Sequence, residues 1–192
     1  GSVPDDNPLG PSNPTFALGI RNSFGLCFDS ATGQLWETEN GPTEDAEINL
    51  IEPGGNYGWP ERLGPGGEPA FVDPVLNFPE TIVPTGCAVS DGTLLFGEGY
   101  DGNLHVMPLP GPTEGIVARV DGGSTDIAPA PDGSIWVVTP SALYRRIAPI
   151  DALSPMPGDG EPPSGLVSGA GLVIAALLIG GLLLMRTRLL RR

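Results

Sequence analysis

Short apolar runs separated by glycine turns occupy most of the first 147 residues. Three times, an apolar run is followed by a tight turn at Gly33, Gly92 or Gly133 and then by a second apolar run. This order is typical of β-hairpins. It predicts paired strands over residues 24–29 and 34–38, 86–90 and 93–99, and 126–130 and 134–140.

The spacing of these turns indicates a repeated unit. The turn glycines lie 59 and 41 residues apart, and further strands are predicted at 103–109 and 142–147. A repeat of about 40 residues suits a four-stranded propeller blade, with an insertion in the first repeat. We therefore predict an all-β meander of about three blades over residues 1–147, with a β-sandwich as the alternative. Three blades cannot close a ring, so about half of such a propeller is expected upstream of Gly1.

The pattern changes after residue 147. Residues 148–164 carry five prolines and no strand pattern, which predicts a semi-extended linker. Residues 165–185 hold no charge and are long enough to cross a bilayer as a helix. Four arginines follow in the tail 186–192, and the positive-inside rule places that tail in the cytoplasm. The sequence thus predicts a single-pass membrane protein whose folded domain is extracytoplasmic.

The charge is strongly negative. The chain carries −14 overall and has no lysine, and the part before the predicted span carries about −18. Such a surface cannot neutralise a row of phosphates, which excludes nucleic acid as a partner. Acidic side chains of this kind are usually solvated, but local clusters are candidate calcium sites.

The two cysteines, Cys27 and Cys87, lie in apolar strand contexts. A free cysteine in such a context packs as a small hydrophobic side chain. A disulfide would require the fold to bring the two Cα atoms within about 7 Å of each other. We expect two buried thiols, with a bridge as the alternative.

The densest run of specific residues is Arg21–Pro60. It contains an Asn40-Gly41-Pro42 turn that is flanked by acidic side chains. A Gly-Pro turn exposes backbone carbonyls, and calcium binds carbonyl and carboxylate oxygens together. The one histidine, His105, lies in a predicted strand, where a structural role is expected. With no Cys/His cluster for zinc and no nucleophile elbow, the sequence favours calcium.

The run RNSFGLCFD, GQLWETENGP, EINLIEPGGNYGWP, in this order, resembles the glucose/sorbosone dehydrogenase family, the soluble aldose dehydrogenases that depend on pyrroloquinoline quinone (PQQ). The similarity continues through DPVLNFPETIVPTG and DIAPAPDGSIWVVT and covers residues 1–147. It implies a six-bladed β-propeller with PQQ and calcium as cofactors. It also implies hydride transfer from the C1 hydroxyl group of an aldose to the quinone, which yields the lactone.

The resemblance also implies roles by position. It implies that Arg21 and Asn22 reach the quinone, and that Asn40 and Thr81 make polar contacts to it. It implies that the carbonyls of Gly41 and Pro42 bind the calcium ion that holds the quinone. It further implies a second, structural calcium at the carboxylate of Glu47 and the carbonyl of Tyr57.

Several positions depart from the family pattern. The catalytic histidine belongs upstream of Gly1, and His105 does not match it, so no catalytic residue is expected in this chain. Ala46 replaces an acid, and basic residues are missing near Tyr100-Asp101 and at Gly123 and Thr125.

Three interpretations follow. The first is a membrane-anchored sugar dehydrogenase that could pass electrons to a respiratory-chain acceptor. The second is a non-catalytic, calcium-binding propeller module that acts in surface binding. In the third, the GGNYGWP loop merely closes a blade.

Overall fold

The computed structural model describes residues 2–146 and the pair 172–173. All regular structure in these residues is β-strand, in agreement with the predicted fold class. The strands are β1 (Ser23–Phe28), β2 (Leu35–Glu39), β3 (Ala46–Ile51), β4 (Leu76–Phe78), β5 (Pro84–Ser90), β6 (Thr93–Glu98), β7 (Asn103–Pro108), β8 (Gly115–Arg119), β9 (Asp126–Pro129), β10 (Ile135–Val138), β11 (Leu143–Arg146) and β12 (Leu172–Val173).

The strands form three four-stranded sheets, ordered β1-β2-β3-β4, β5-β6-β7-β8 and β9-β10-β11-β12. Every pair of neighbours within a sheet is antiparallel, so each sheet is a meander like a propeller blade. The three predicted hairpins are β1–β2, β5–β6 and β9–β10, and their ends agree with the prediction to within two residues. The further strands predicted at 103–109 and 142–147 are β7 and β11, and the prediction missed β3, β4, β8 and β12.

Two apolar layers hold the sheets together. Between the first and second sheets lie buried side chains that include Trp36, Ile48, Phe96 and Met107. Between the second and third sheets lies a second layer. The second sheet lies between these two layers. Because successive residues of a strand point to opposite sides, it contributes side chains to both and is buried on both faces. The second layer contains Ala88, Leu95, Leu104, Val106, Ala118, Val120, Ile127, Ile135 and Val137.

The cysteines form a disulfide, so the expectation of two free thiols is wrong. Cys27 lies on β1 and Cys87 lies on β5, the first strands of adjacent sheets. Their Cα atoms are 5.8 Å apart, which is within the range of a bridge. The disulfide therefore links the first sheet to the second within the apolar layer between them.

The outer face of β1 carries an apolar stripe. Phe24, Leu26 and Phe28 alternate along the strand and are 57%, 64% and 67% exposed. They point away from the layer that contains Cys27, and no sheet among the described residues covers them. Large exposed side chains in a row are typical of a surface that packs against another element.

Most of the C-terminal prediction falls outside the described residues. This applies to the linker 148–164, the tail 186–192 and the predicted span 165–185 apart from Leu172–Val173. Those two residues form β12 beside β11 and not a stretch of helix. Across residues 2–146 and 172–173, no helix has the length and apolar character needed to cross a bilayer. The membrane helix stays a prediction.

Candidate functional site

Two loop segments run side by side at one end of the first sheet. The backbone N–H of Leu18 donates to the carbonyl of Gly55 at 2.9 Å, and that of Tyr57 donates to the carbonyl of Leu18 at 2.9 Å. The N–H of Trp59 then donates to the carbonyl of Gly19 at 2.8 Å. A Cβ atom on Gly19 would lie 2.8 Å from the Tyr57 nitrogen, so this close approach requires glycine. The ladder places Trp59 next to the residues that lead into β1.

Arg21 is held from three sides at this end. Its backbone N–H donates to Glu39 Oε1 at 2.7 Å, and its Nη1 donates to the carbonyl of Asn40 at 2.9 Å. The guanidinium carbon lies 5.3 Å from the centre of the Trp59 ring, within the range of a cation–π contact. These contacts fix the guanidinium at the point where β2 ends.

Asn40 joins the first sheet to the second. Its N–H donates to the carbonyl of Asn22 at 3.0 Å, and its Nδ2 donates to the carbonyl of Pro84 at 3.0 Å. Asn40 is buried, yet its Oδ1 finds no hydrogen-bond partner among the described residues, and the same is true of Arg21 Nε. Buried polar atoms are normally paired, so one unpaired acceptor and one unpaired donor on contacting residues fit a site that takes a polar ligand.

The structure thus brings together three of the four predicted cofactor residues, Arg21, Asn22 and Asn40. Asn22 takes part through its backbone carbonyl, and the residue itself is exposed. Thr81 is half-buried in the loop between β4 and β5, three residues before the Pro84 that accepts the Asn40 amide. Thr81 therefore lies at the same end of the neighbouring sheet, although no hydrogen bond joins it to the other three in the described residues.

The turn after Asn40 is tight. A Cβ atom on Gly41 would meet the carbonyl oxygen of Asp45 at 2.6 Å, and that of Glu44 at an even shorter distance. Gly41 is buried and Pro42 is exposed. The carbonyls of Glu44 and Asp45 therefore turn back against Gly41, so the segment concentrates backbone oxygens, as a calcium site requires. Calcium at Gly41 and Pro42 stays a prediction.

Acidic side chains lie buried beneath this end of the sheet. Glu37 and Glu39 on β2 are paired directly with Asn49 and Glu47 on β3. The Nδ2 atom of Asn49 lies 3.1, 3.4 and 3.2 Å from a carboxyl oxygen of Glu37, Glu39 and Glu47, respectively. An amide nitrogen has two N–H groups, so it can satisfy only two of the three oxygens at once. We refer to Glu37, Glu39, Glu47 and Asn49 as the carboxyl cluster.

Burial shifts the titration of this cluster. It raises the pKa of Glu37 to about 8 and that of Glu39 to about 7, and it also raises the pKa of Glu47. The physical cause is the loss of hydration, to which the neighbouring carboxylates add repulsion. The amide of Asn49 and the backbone N–H of Arg21 act in the opposite direction, without cancelling the effect of burial.

Of the two residues predicted for the second calcium, Glu47 is committed to other partners. Glu47 accepts the N–H of Gly64 on Oε1 at 2.9 Å and the amide of Asn49 on Oε2. Tyr57 is anchored through its hydroxyl group, which donates to the carbonyl of Leu50 at 2.6 Å and accepts the N–H of Glu52, and these bonds do not involve its backbone carbonyl, the predicted ligand. Within residues 2–146 and 172–173, no three His, Cys, Asp or Glu side chains are arranged to hold a metal ion. The second calcium therefore stays a prediction.

His105 lies in the interior of the second sheet. Its Nδ1 is 2.8 Å from Glu114 Oε2, and its ring is stacked on Phe96 with the centres 4.8 Å apart. Its Nε2 is 3.1 Å from Glu98 Oε1, without hydrogen-bond alignment. Burial lowers the pKa of His105, but the two carboxylates outweigh it, so the pKa is raised above its ordinary value. These contacts give His105 a structural role in the second sheet.

Sequence reasoning missed three residues of this region. Glu37 and Asn49 carry no predicted role, although the alternation in WETE and EIN places them on one face of paired strands. Trp59 belongs to the GGNYGWP motif, but its contact with Arg21 depends on the ladder between residues 18–19 and 55–59. No local pattern in the sequence indicates that contact.

Comparison with known proteins places these features in a family. A family model described as Glucose / Sorbosone dehydrogenase matches residues 1–143. The quinoprotein glucose dehydrogenase B of Acinetobacter calcoaceticus is 50% identical over 66 residues, which are 33% of this chain and 14% of that protein.

Solved structures agree in fold. The PQQ-bound aldose sugar dehydrogenase of Streptomyces coelicolor superposes with a TM-score of 0.66 at 28% identity, over 91% of this chain and 48% of that chain. The apo form of the soluble aldose sugar dehydrogenase of Escherichia coli gives a TM-score of 0.60 at 26% identity, over 71% of this chain and 48% of that chain. This chain spans less than half the length of these relatives.

Proposed function

The chain belongs to the glucose/sorbosone dehydrogenase family, and from this premise we propose that it forms part of a PQQ-dependent dehydrogenase that oxidises the C1 hydroxyl group of an aldose to the lactone. The observation that carries the proposal is the pair Arg21 and Asn40. Each has a buried polar side-chain atom without a partner among the described residues, and the Arg21 guanidinium donates to the backbone carbonyl of Asn40 at one end of the first sheet.

The unpaired atoms suit a quinone. Arg21 Nε is a donor in a cationic group, and a quinone offers carbonyl oxygens that accept hydrogen bonds and draw electron density. PQQ, when bound, supplies the acceptor for the substrate hydride. Arg21 would hold a quinone oxygen, and Asn22, Asn40 and Thr81 would orient the cofactor from the first two sheets.

Calcium completes the proposal. The backbone carbonyls of Gly41 and Pro42 would supply ligands beside Asn40. A cation at that point would offset part of the negative charge of both the cofactor and the chain, which carries −14. The carboxylate of Glu47 and the carbonyl of Tyr57 would supply ligands to a second, structural calcium ion. The Glu47 carboxylate would first have to be released from the N–H groups of Asn49 and Gly64 that donate to it.

The proton acceptor must come from elsewhere in the full protein. His105 is buried and held by Glu98 and Glu114, so it cannot reach a sugar at the site of Arg21 and Asn40. Since the chain spans less than half of its relatives, we propose that the base is contributed by a blade other than the three described here.

A calcium-binding propeller module without catalysis is the second candidate. It is favoured by the missing basic residues at Gly123 and Thr125, because fewer cations remain to bind a tricarboxylate on a chain of net charge −14. Such a module would act in surface binding through its folded domain.

The discriminating experiment is reduction of a dye by the full-length protein with PQQ, calcium and an aldose. An enzyme shows quinone-dependent reduction that falls at least tenfold in Arg21→Ala and not in Arg145→Ala, a control arginine on the third sheet. If calcium binds but no dye is reduced under any condition, the module is favoured and the enzyme proposal is wrong.

We further propose that residues 165–185 anchor the protein in the membrane, with the folded domain extracytoplasmic and a respiratory-chain acceptor nearby. The support is the uncharged run followed by four arginines. A reporter fused after Arg192 should be active only in the cytoplasm, and activity of that reporter outside the cell would contradict this topology.

A further inference from the structure

We propose that Trp59 is a positioning residue for the cofactor site and that it acts by holding the Arg21 guanidinium in the orientation that meets the quinone. The inference rests on the proposed function, because it assigns a role within that same site. Trp59 contacts Arg21 but is not among the residues predicted to bind PQQ or calcium.

The ladder fixes Trp59 before any ligand arrives. Its N–H donates to the carbonyl of Gly19, two residues before Arg21, and the preceding Gly58 is held by Asn56 Oδ1 at 3.1 Å. Trp59 is 37% exposed, so part of its ring is covered on the side of Arg21 and part faces solvent. Backbone hydrogen bonds, rather than side-chain packing alone, thus set the place of the indole ring.

Arg21 depends on this contact because its other restraints are few. Among the described residues, its guanidinium makes one hydrogen bond, from Nη1 to the neutral carbonyl of Asn40, while Nε has none. A single hydrogen bond at Nη1 leaves the orientation of the guanidinium plane only partly restrained. The face of Trp59, 5.3 Å away, supplies the second restraint and attracts the cation through the ring quadrupole.

A matched pair elsewhere in the chain shows the difference. Arg145 lies 5.5 Å from the centre of the Trp136 ring, but its guanidinium is also bound to the carboxylate of Asp132 at 2.5 Å. Removal of Trp136 should therefore leave Arg145 in place, whereas removal of Trp59 should release Arg21. Trp136→Leu is the control for Trp59→Leu.

The first test needs no quinone. In the full-length protein, hydrogen exchange at the Arg21 Nε–H, followed by NMR, should become at least fivefold faster in Trp59→Leu and recover partly in Trp59→Phe. The exchange at Arg145 should not change in Trp136→Leu. If exchange at Arg21 is the same in the wild type and in Trp59→Leu, the inference is wrong, whatever the protein binds.

The second test measures quinone affinity by titration with PQQ and calcium. Trp59→Leu should raise Kd about tenfold, which corresponds to about 1.4 kcal/mol. In an Arg21→Gln background the same substitution should change Kd less than twofold, because its effect passes through Arg21. An equal loss in both backgrounds would overturn the inference. If the wild type binds no quinone, the proposed function fails, and the exchange experiment alone decides the role of Trp59.

Discussion

Near the end of β2, burial changes the protonation and the contacts of acidic residues that the sequence predicts to be solvated. Acids flanking the Asn40 turn are expected from the sequence to be solvated or to bind calcium. In the structure, Glu39 and Glu47 are buried with Glu37 around one amide, and Glu37 and Asn49 are fully inaccessible. The alternation along β2 and β3 indicates which residues share one face, but whether that face is covered depends on tertiary contacts such as the hydrogen bond from the N–H of Gly64 to Glu47.

The carboxyl cluster gives stability a definite dependence on pH. The pKa of Glu37 rises from 4.5 to about 8 on folding, so between these values the folded state binds more protons than the unfolded state. The free energy of unfolding should therefore fall as pH rises from about 4.5 to 8. In Glu37→Gln the fall should be shallower, and the variant should gain stability relative to wild type at pH 8. Urea denaturation at several pH values measures both.

Glu44→Gln is the control for this prediction, because Glu44 is exposed in the same region. It should leave the slope of stability against pH unchanged. If Glu37→Gln has the same slope as wild type, Glu37 is not protonated in the folded protein and the description of the cluster is wrong.

The tight turn at Gly41 makes a steric prediction. Gly41→Ala would place a methyl group 2.6 Å from the carbonyl oxygen of Asp45, where the neighbour is backbone and cannot easily move. We expect a loss of about 2–3 kcal/mol, as for overpacking in a core. At Gly33, where a Cβ would meet nothing within 4 Å, the same change should cost about 1 kcal/mol, from its positive φ alone. Equal losses in denaturant would contradict this account.

Among the elements, the three hairpins and the strands β7 and β11 could be predicted from the sequence, whereas β3, β4 and β8 were not. The turns at Gly33, Gly92 and Gly133 are local signals, and all three hairpins are present. Strand β4 has only three residues, which is too short for a pattern, whereas β8 is the apolar run GIVAR, whose first three residues are half-buried. Strand β3 carries the polar residues Glu47 and Asn49 on one face, and in the sequence these residues resemble part of an acidic calcium-binding segment more than a buried strand.

The disulfide could not be predicted because it depends on tertiary packing. Cys27 and Cys87 are 60 residues apart, and only the packing of the first sheet on the second brings them together. Sequence alone gives the apolar context of each cysteine, which suits a thiol and a disulfide equally.

Loss of the disulfide should destabilise the protein substantially. A cross-link that closes a loop of 60 residues is expected to contribute roughly 4 kcal/mol through the entropy of the unfolded chain. The double variant Cys27→Ala/Cys87→Ala should therefore unfold at a lower urea concentration. Dithiothreitol should lower the midpoint of the wild type and leave that of the variant unchanged. A wild type insensitive to reduction would show that the bridge does not contribute to stability.

At the scale of the whole molecule, the first sheet exposes an apolar stripe on β1 that no other described sheet covers. The six-bladed ring implied by the family resemblance would cover Phe24, Leu26 and Phe28 with a further blade. Carbene footprinting of the full-length protein should then label these side chains weakly. Tyr100, which is 78% exposed in a loop, should be labelled strongly and serves as the internal reference. Equal labelling of the stripe and Tyr100 would mean that no blade packs there.

The site could be predicted from the sequence only where a motif carries it. Arg21, Asn22 and Asn40 come from the resemblance, and the structure brings them into contact. The buried, unpaired atoms that suggest a ligand, Arg21 Nε and Asn40 Oδ1, depend on the packing of two sheets and one ladder of loop hydrogen bonds, which no local pattern encodes.

The central claim is that Arg21 and Asn40 hold a quinone. Titration of the full-length protein with PQQ at fixed calcium, followed by isothermal calorimetry, tests it most directly. We predict saturable binding that weakens at least tenfold in Asn40→Ala and remains unchanged in Asn7→Ala, an asparagine in the N-terminal loop. Binding of equal strength in Asn40→Ala and wild type, or no binding at all by the wild type, would contradict the claim.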